Sequence, residues 1–484
     1  MRFQALILFR LALALSSAGG VEVALETVPW TASCYYRTPG GFPEETPRLP
    51  TVNSALNGGP ISLNGRKYTQ GVGGWIGGNM VYRLDGEAER FTARIGIDDS
   101  SVPASGSGSP VLPAAEIIVI VNRKIVLQQK IRYGEILPVE LDLQGAQLFQ
   151  VWFRGVHGAP GGFIGIVDAA FDAARPETLV ARLRHAAGEF RASLAEKPDY
   201  PPAPAWEKVR IEKIRWGEFA DAYRISNGKI ELVVAPEFGG RIMSFSLPGG
   251  KNLLMENRPH CRREMLRQGS SGNFAGGHFM RFRPVHTWLP LDVVLEHAPY
   301  SIEFPSEGTV LLRSRPSSWF QLRYEYEITV EPGKRECRVT DRIVNLAPYP
   351  QTLSIWSITR LERDGMVRLL LPPVDRRRPA AFELRENDFN VGETGAEFTF
   401  GALGGVAEFR YFPVNNRIEY RIFRQDAPEF KIRYDGKGAF PDNGHFPLHV
   451  YSAGFCEVES HGAKKRLNPG EYAEYAALWE ISNG

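Results

Sequence analysis

From Leu322 to Val330 apolar and polar residues alternate without a break: Leu322, Tyr324, Tyr326, Ile328 and Val330 against Arg323, Glu325, Glu327 and Thr329. That two-residue period belongs to a strand with one buried and one wet face. Shorter runs of the same kind, separated by turn residues, predict strands over 80–84, 91–97, 116–121, 124–131 and 147–153. Further on, residues 230–235 form a β-branched, apolar run stopped by Pro236, and Gly239-Gly240 supplies a turn before a second strand over 241–247. In that strand Arg241, Met243, Phe245 and Leu247 share one face, so a guanidinium opens it. The period changes once. Between 175 and 196, Leu179, Leu183, Ala186, Phe190 and Leu194 recur at helical spacing, with Pro176 suited to a first turn and Glu177 to the positive end of the helix dipole. This predicts one amphipathic helix packed against a neighbouring domain. Pro198, Pro201, Pro202 and Pro204 then make a stiff, extended connector. The reading is of an all-β chain with domains over 22–172 and 206–484, joined through 173–205.

Composition narrows this picture. At 484 residues the chain exceeds one ordinary core, and an apolar fraction of 43% with 11% aromatics excludes a mainly disordered chain. A charged fraction of 23% and a net charge of +2 carry no nucleic-acid signature, which requires a clustered basic excess. Residues 1–20 have the build of a secretory signal: Arg2 at the start, a mostly apolar run over 5–15, and Ser16-Ser17-Ala18 before a cut. Arg10 leaves that run far short of the roughly 20 apolar residues of a membrane span. A secreted or periplasmic protein with no spanning segment after signal removal is expected. Cys34, Cys261, Cys337 and Cys456 lie far apart with no CxxC or Cys/His ligand spacing, so free, buried thiols are expected and zinc is not. No Walker loop, GxSxG elbow, HExxH or dinucleotide fingerprint is present, so neither cofactor nor metal is expected.

Two resemblances sit on this framework. YTQGVGG (68–74), MVYRLDG (80–86) and FTARIGIDDS (91–100) resemble the NPCBM module, a galactose-binding-like jelly roll named for carbohydrate binding. Members commonly carry a histidine shortly after the first glycines, where this chain has Gly74-Trp75. Asp98 and Asp99 read as turn-capping carboxylates ahead of a calcium or sugar contact. The second resemblance starts at the hairpin NGKIELVVAPEFGGRIMSFSLPGGKNLLMEN (227–257) and runs through NFAGGHFMRFRPVHTWLPLD (273–292) to FPDNGHFPLHVYSAGFCEVES and LNPGEYAEYAALWEI. These phrases resemble galactose-mutarotase-like domains of the aldose 1-epimerase superfamily, and the likeness covers roughly residues 206–484. It implies a large β-sandwich that holds sugars; it does not name a reaction.

A mutarotase removes the proton of the anomeric hydroxyl while protonating the ring oxygen, so it needs a base and an acid. The resemblance implies a late-strand glutamate as base, matched by Glu457 or Glu459, which share a strand face. The family's histidine phrase H-x-Y-F-N is replaced here by Ser354-Ile355-Trp356-Ser357-Ile358-Thr359, so the acid is sought in His278 or His286. Each histidine alone is more often structural than catalytic. Arg241, Arg281 and Arg283 offer forked donors to an acidic or sulfated saccharide, against the bland reading that Arg281 and Arg283 form a solvated strand face. Trp288 and Trp356 could stack on a sugar or simply fill a core. The expected function is that of an exported carbohydrate-binding and carbohydrate-active protein, with metal-independent acid/base chemistry at an anomeric centre. A non-catalytic glycan binder and a glycoside hydrolase are its rivals.

Overall fold

The computed structural model describes residues 20–30, 32–35, 50–102, 111–156, 159, 161–256, 275–283, 293–317, 320–362, 367–373, 382–385, 389–391, 396–400, 407–411, 418–424, 426–434, 447–452 and 455–482. The chain forms two compact units that divide in sequence between Ala187 and Gly188.

In the first unit one antiparallel sheet runs in the order Ile136–Asp142, Arg90–Ile97, Phe163–Ala173, Val72–Trp75 and Thr51–Val52, with Val21–Ala24 also paired to Phe163–Ala173. The other runs through Lys124–Arg132, Ala114–Val121, Leu148–Gly155 and Gly78–Arg83. Phe91, Phe149 and Phe171 meet between them, with ring centroids 4.6 Å apart for Phe91 and Phe149 and 5.4 Å for Phe149 and Phe171. The helix Pro176–Ala195 contributes Leu179 and Leu183 to this same core, each such burial supplying about 1.5–3 kcal/mol. The first half of the apolar stripe thus packs into the core of the neighbouring first unit. Asp98 accepts from the backbone N–H groups of Ser62 and Ser100 at 2.9 and 3.0 Å, and Asp99 from those of Asn64 and Gly65 at 3.0 and 2.9 Å. These carboxylates satisfy turn amides, the capping role read from the sequence.

The proline connector is fixed to the second unit: Tyr223 donates its hydroxyl to the Pro201 carbonyl at 2.6 Å and Lys213 its ammonium to the Tyr200 carbonyl at 3.2 Å. Two large antiparallel sheets make up this unit, of eleven and ten strands among the described residues. The first carries, side by side, Arg210–Trp216, Phe219–Ser226, Glu231–Ala235, Arg241–Ser246, His278–Arg283, Gln351–Leu361, Cys456–His461, Leu448–Ser452, Ala407–Tyr411 and Phe382–Arg385. The second has Leu322–Val330, Glu336–Asn345, Tyr472–Ser482 and Glu429–Tyr434 at its middle. Trp479 of the second sheet lies 5.3 Å from Phe245 of the first, and this layer between the sheets is the core. Gly239 and Gly240 both have φ near +62°, and a β-carbon on Gly240 would stand 2.5 Å from the Tyr300 ring. Only glycine fits that turn. Cys337 and Cys456 are free and buried. The side chain of Cys34, and all of Cys261, lie outside the described residues.

Candidate functional site

Three registers assemble the site. Glu459 lies opposite His449 on one side and Ile358 on the other; Arg360 pairs with Glu457 and Trp356 with His461. On the next strand Arg281 pairs with Trp356 and Arg283 with Ser354. Residues paired across a ladder share a face, as do residues two apart along a strand. One face of the sheet therefore carries Arg281, Arg283, Trp356, Arg360, Glu457, Glu459, His461 and His449 together. The interlayer core lies on the other face, where Ser357 and Ser460 meet the hydroxyls of Tyr434 and Tyr475 across the gap.

Glu459 is held tightly. Its Oε2 accepts from the Trp356 indole N–H at 2.6 Å and lies 2.6 Å from His449 Nδ1. Glu457 accepts from Arg360 Nε at 2.5 Å and stands two residues from Glu459 on the same strand face. The Trp356 ring stacks on His461 with centroids 5.6 Å apart, and the Arg283 guanidinium stands 4.1 Å from its centroid. Burial raises the pKa of Glu457, and the adjacent Glu459 charge adds to the rise against the opposing pull of Arg360. Burial would raise Glu459 too, but the charge and hydrogen bond of His449, the hydrogen bond from Glu457 and the charge of Arg283 bring it below the ordinary carboxylate value. The two neighbouring carboxyls are thus shifted in opposite directions.

Of the residues singled out from the sequence, the structure brings together Glu457, Glu459, Arg281 and Arg283. Arg241 is on the same sheet face, since its neighbour Ile242 pairs with His278. It is committed to the Gly276 carbonyl at 2.9 Å and to His297 Nδ1 at 3.3 Å, over the Phe279 ring. Arg281 forms a two-pronged pair with Glu296 at 2.9 Å on both arms. These two guanidiniums anchor the segment that follows the glycine loop. Neither Arg281 nor Arg283 forms a solvated face, because both are buried. His278 is a correction. It points into the interlayer core, with Nδ1 2.8 Å from Thr359 Oγ1, Nε2 3.2 Å from Asp341 Oδ1, and its ring edge-on to Trp479. The sheet itself separates it from the glutamates, so it cannot be their acid. His286 and Trp288 lie outside the described residues.

His449, His461 and Arg360 complete the face and were absent from the sequence reading. A signal existed: in CEVESH (456–461) the alternation that aligns Glu457 with Glu459 also aligns His461, and the hairpin preceding it sets His449 across from Glu459. Trp356, weighed as core or sugar platform, is a hydrogen-bond donor within the site.

Residues 24–157 match the NPCBM/NEW2 domain. Among similar solved structures, a galactose mutarotase-like protein from Lactobacillus casei is 14% identical, over 54% of this chain and 100% of its own, with a TM-score of 0.34. Another galactose mutarotase-like protein, from Clostridium acetobutylicum, is 12% identical over 57% of this chain and 98% of its own, with a TM-score of 0.34. The CBM51-2 and INT domains of ZmpB from Clostridium perfringens, in complex with GlcNAc, are 16% identical over 32% of each chain, with a TM-score of 0.25. No curated protein sequence matches the chain.

Proposed function

We propose that this is an exported carbohydrate-active protein whose second unit binds an acidic or sulfated saccharide and exchanges the configuration of its anomeric centre, with Glu459 as base and Glu457 as acid. The match to NPCBM supports a carbohydrate-related function, and among the described residues no helix is long and apolar enough to cross a membrane. The observation that carries the reaction is a pair of buried glutamates on one strand face, one held by Arg360 and the other by Trp356 and His449, with pKa values shifted in opposite directions. In a pyranose the anomeric hydroxyl oxygen and the ring oxygen sit on the same carbon. Two neighbouring carboxyls, one shifted toward its charged form and one toward its protonated form, suit that pair of oxygens. Glu459 takes the hydroxyl proton as Glu457 gives its proton to the ring oxygen. The ring C–O bond breaks to leave an aldehyde, and reclosure on the other face returns both protons. An anionic sugar is favoured because Arg283 stands against the site, and because the buried Arg360 Nη1 has no hydrogen-bond partner among the described residues.

The second reading is a glycan binder without turnover. Its support is that both carboxylates already have strong partners, Arg360 for Glu457, and Trp356 and His449 for Glu459. Anomer exchange of free uronic acids and sulfated sugars, followed by proton NMR with wild type, Glu457→Gln and Glu459→Gln, separates the two. The proposal expects exchange in wild type and its loss in both variants with saccharide binding retained. Binding without exchange in wild type establishes the binder.

A further inference from the structure

We propose that His449, Glu459 and His461 form a binding site for a divalent transition metal of the zinc type. One ligand atom from each lies within 4.8 Å of the other two, and all three side chains are buried. Two imidazoles and a carboxylate are the donor set of many three-ligand metal centres, which leave a further position open. The backbone brings them together without help from a loop: Glu459 and His461 are two apart on one strand, and His449 is the register partner of Glu459 on the next. Such cross-strand neighbours have β-carbons about 4.5–5.5 Å apart on a rigid pleat. A zinc ion with ligands at about 2.1 Å places tetrahedral donor atoms about 3.4 Å apart, so closing the set takes rotations of the side chains and no change of the strands. The carboxylate already has an outer partner, since the Trp356 indole fixes Glu459 Oε2 as a second layer fixes a metal ligand. His461 is braced by its stack on the same indole.

The ion would take the place of the hydrogen bond between His449 Nδ1 and Glu459 Oε2. It would also occupy the base of the proposed reaction, making the cation an inhibitor of anomer exchange and the carboxylate a choice between two occupants. The spacing of cysteines and histidines along the chain gave no expectation of this site, because its ligands come from two strands and only one short i, i+2 step is visible in the sequence.

The test is calorimetric titration of the full chain, stripped with EDTA and dialysed, with zinc chloride alone. One ion per chain is expected, with affinity at least 100-fold weaker in His449→Ala and His461→Ala and unchanged in His185→Ala, an exposed histidine of the helix. Circular dichroism checks that each variant is folded. Should either alanine variant fail that check, His461→Gln and Trp356→Phe serve instead, with a 10- to 100-fold loss expected for the latter. Cobalt(II) should produce a visible absorption band in wild type that His461→Gln lacks. No zinc uptake by wild type, or equal uptake by folded His449 and His461 variants, overturns the site. No saccharide is needed for these measurements, and anomer exchange is assayed in EDTA, so failure of the metal site and failure of the proposed reaction are read separately.

Discussion

Two buried histidine–carboxylate pairs lie on opposite faces of the same sheet, and they do opposite things. On the inner face His278 stands 3.2 Å from Asp341 and 2.8 Å from Thr359, enclosed by Tyr326 and Trp479. On the outer face His449 stands 2.6 Å from Glu459, beside a second glutamate, an indole, a second histidine and two guanidiniums. Burial and pairing are common to both, so neither distinguishes a site from a structural tie. What distinguishes them is the surplus around the pair. The inner pair has aromatic rings and the hydroxyl of Thr359 for company, with no further carboxylate or guanidinium hydrogen-bonded to it among the described residues, which satisfies two polar side chains in a core. The outer one is set among groups of both charges whose mutual effects divide two carboxyls into an acid and a base.

The largest effect that would break this contrast is chemical. Glu459→Gln keeps the shape of the side chain and removes the base, so anomer exchange should fall by about 100- to 10,000-fold while the protein still folds. Polarimetry or NMR of the exchange measures the first, and thermal melting the second. A variant with undiminished exchange would erase the difference between the two faces.

The mirror experiment is Asp341→Ala. It leaves His278 buried without its hydrogen-bond partner, and stability should drop by about 1–3 kcal/mol by urea unfolding. Saccharide binding by the folded fraction should be unchanged. Loss of binding there, with stability intact, would make the inner pair part of the site.

The sequence pattern located the faces better than their contents. Alternation placed Leu322–Val330 at its observed position, because a half-buried strand must present its apolar residues every second position; it found the strand Arg241–Ser246 too, but not the irregularity at Met243 that turns Phe245 into the interlayer core and leaves Arg241 on the outer face. The same rule put Glu457 and Glu459 on one face. It failed for His278, because a histidine is compatible with either side and only the register with Thr359 and the approach of Asp341 from the other sheet decide. It failed again for Arg241 and Arg281, whose partners Gly276, His297 and Glu296 lie 15 to 56 residues away in sequence. Arg360 was invisible for the same reason: a cross-strand neighbour is defined by pairing, which local period does not encode.

A finer probe of the outer face is Trp356→Phe. The ring remains to pack against Arg283 and His461, and only the N–H to Glu459 is lost. A hydrogen bond to a charged group contributes about 1.5–3 kcal/mol, so Glu459 should become less acidic and exchange should slow by about tenfold or more, with saccharide binding weakened less. If binding and exchange fell together, the indole would be a sugar platform and not a positioning group.

The smallest expected effect is a dependence of stability on pH that belongs to one face only. Glu459 has a folded pKa below its ordinary 4.5, so the folded state holds its proton less firmly than the unfolded chain does. The stabilisation from its ionised form is complete above about 4.5 and is lost as pH falls through the lower folded value. Glu459→Gln cannot titrate, so the stability advantage of wild type over this variant should shrink as the solution is acidified below that point. Glu457 acts in the reverse sense: its raised pKa makes ionisation in the folded state costly, and that cost grows as pH rises from 4.5 toward the folded value. Urea unfolding of wild type, Glu459→Gln, Glu457→Gln and the double variant across this range separates the two, because the Glu459 charge also contributes to the rise of Glu457. A gap that widens on acidification would mean that Glu459 is the proton-holding member of the pair, and the roles of acid and base would have to be exchanged.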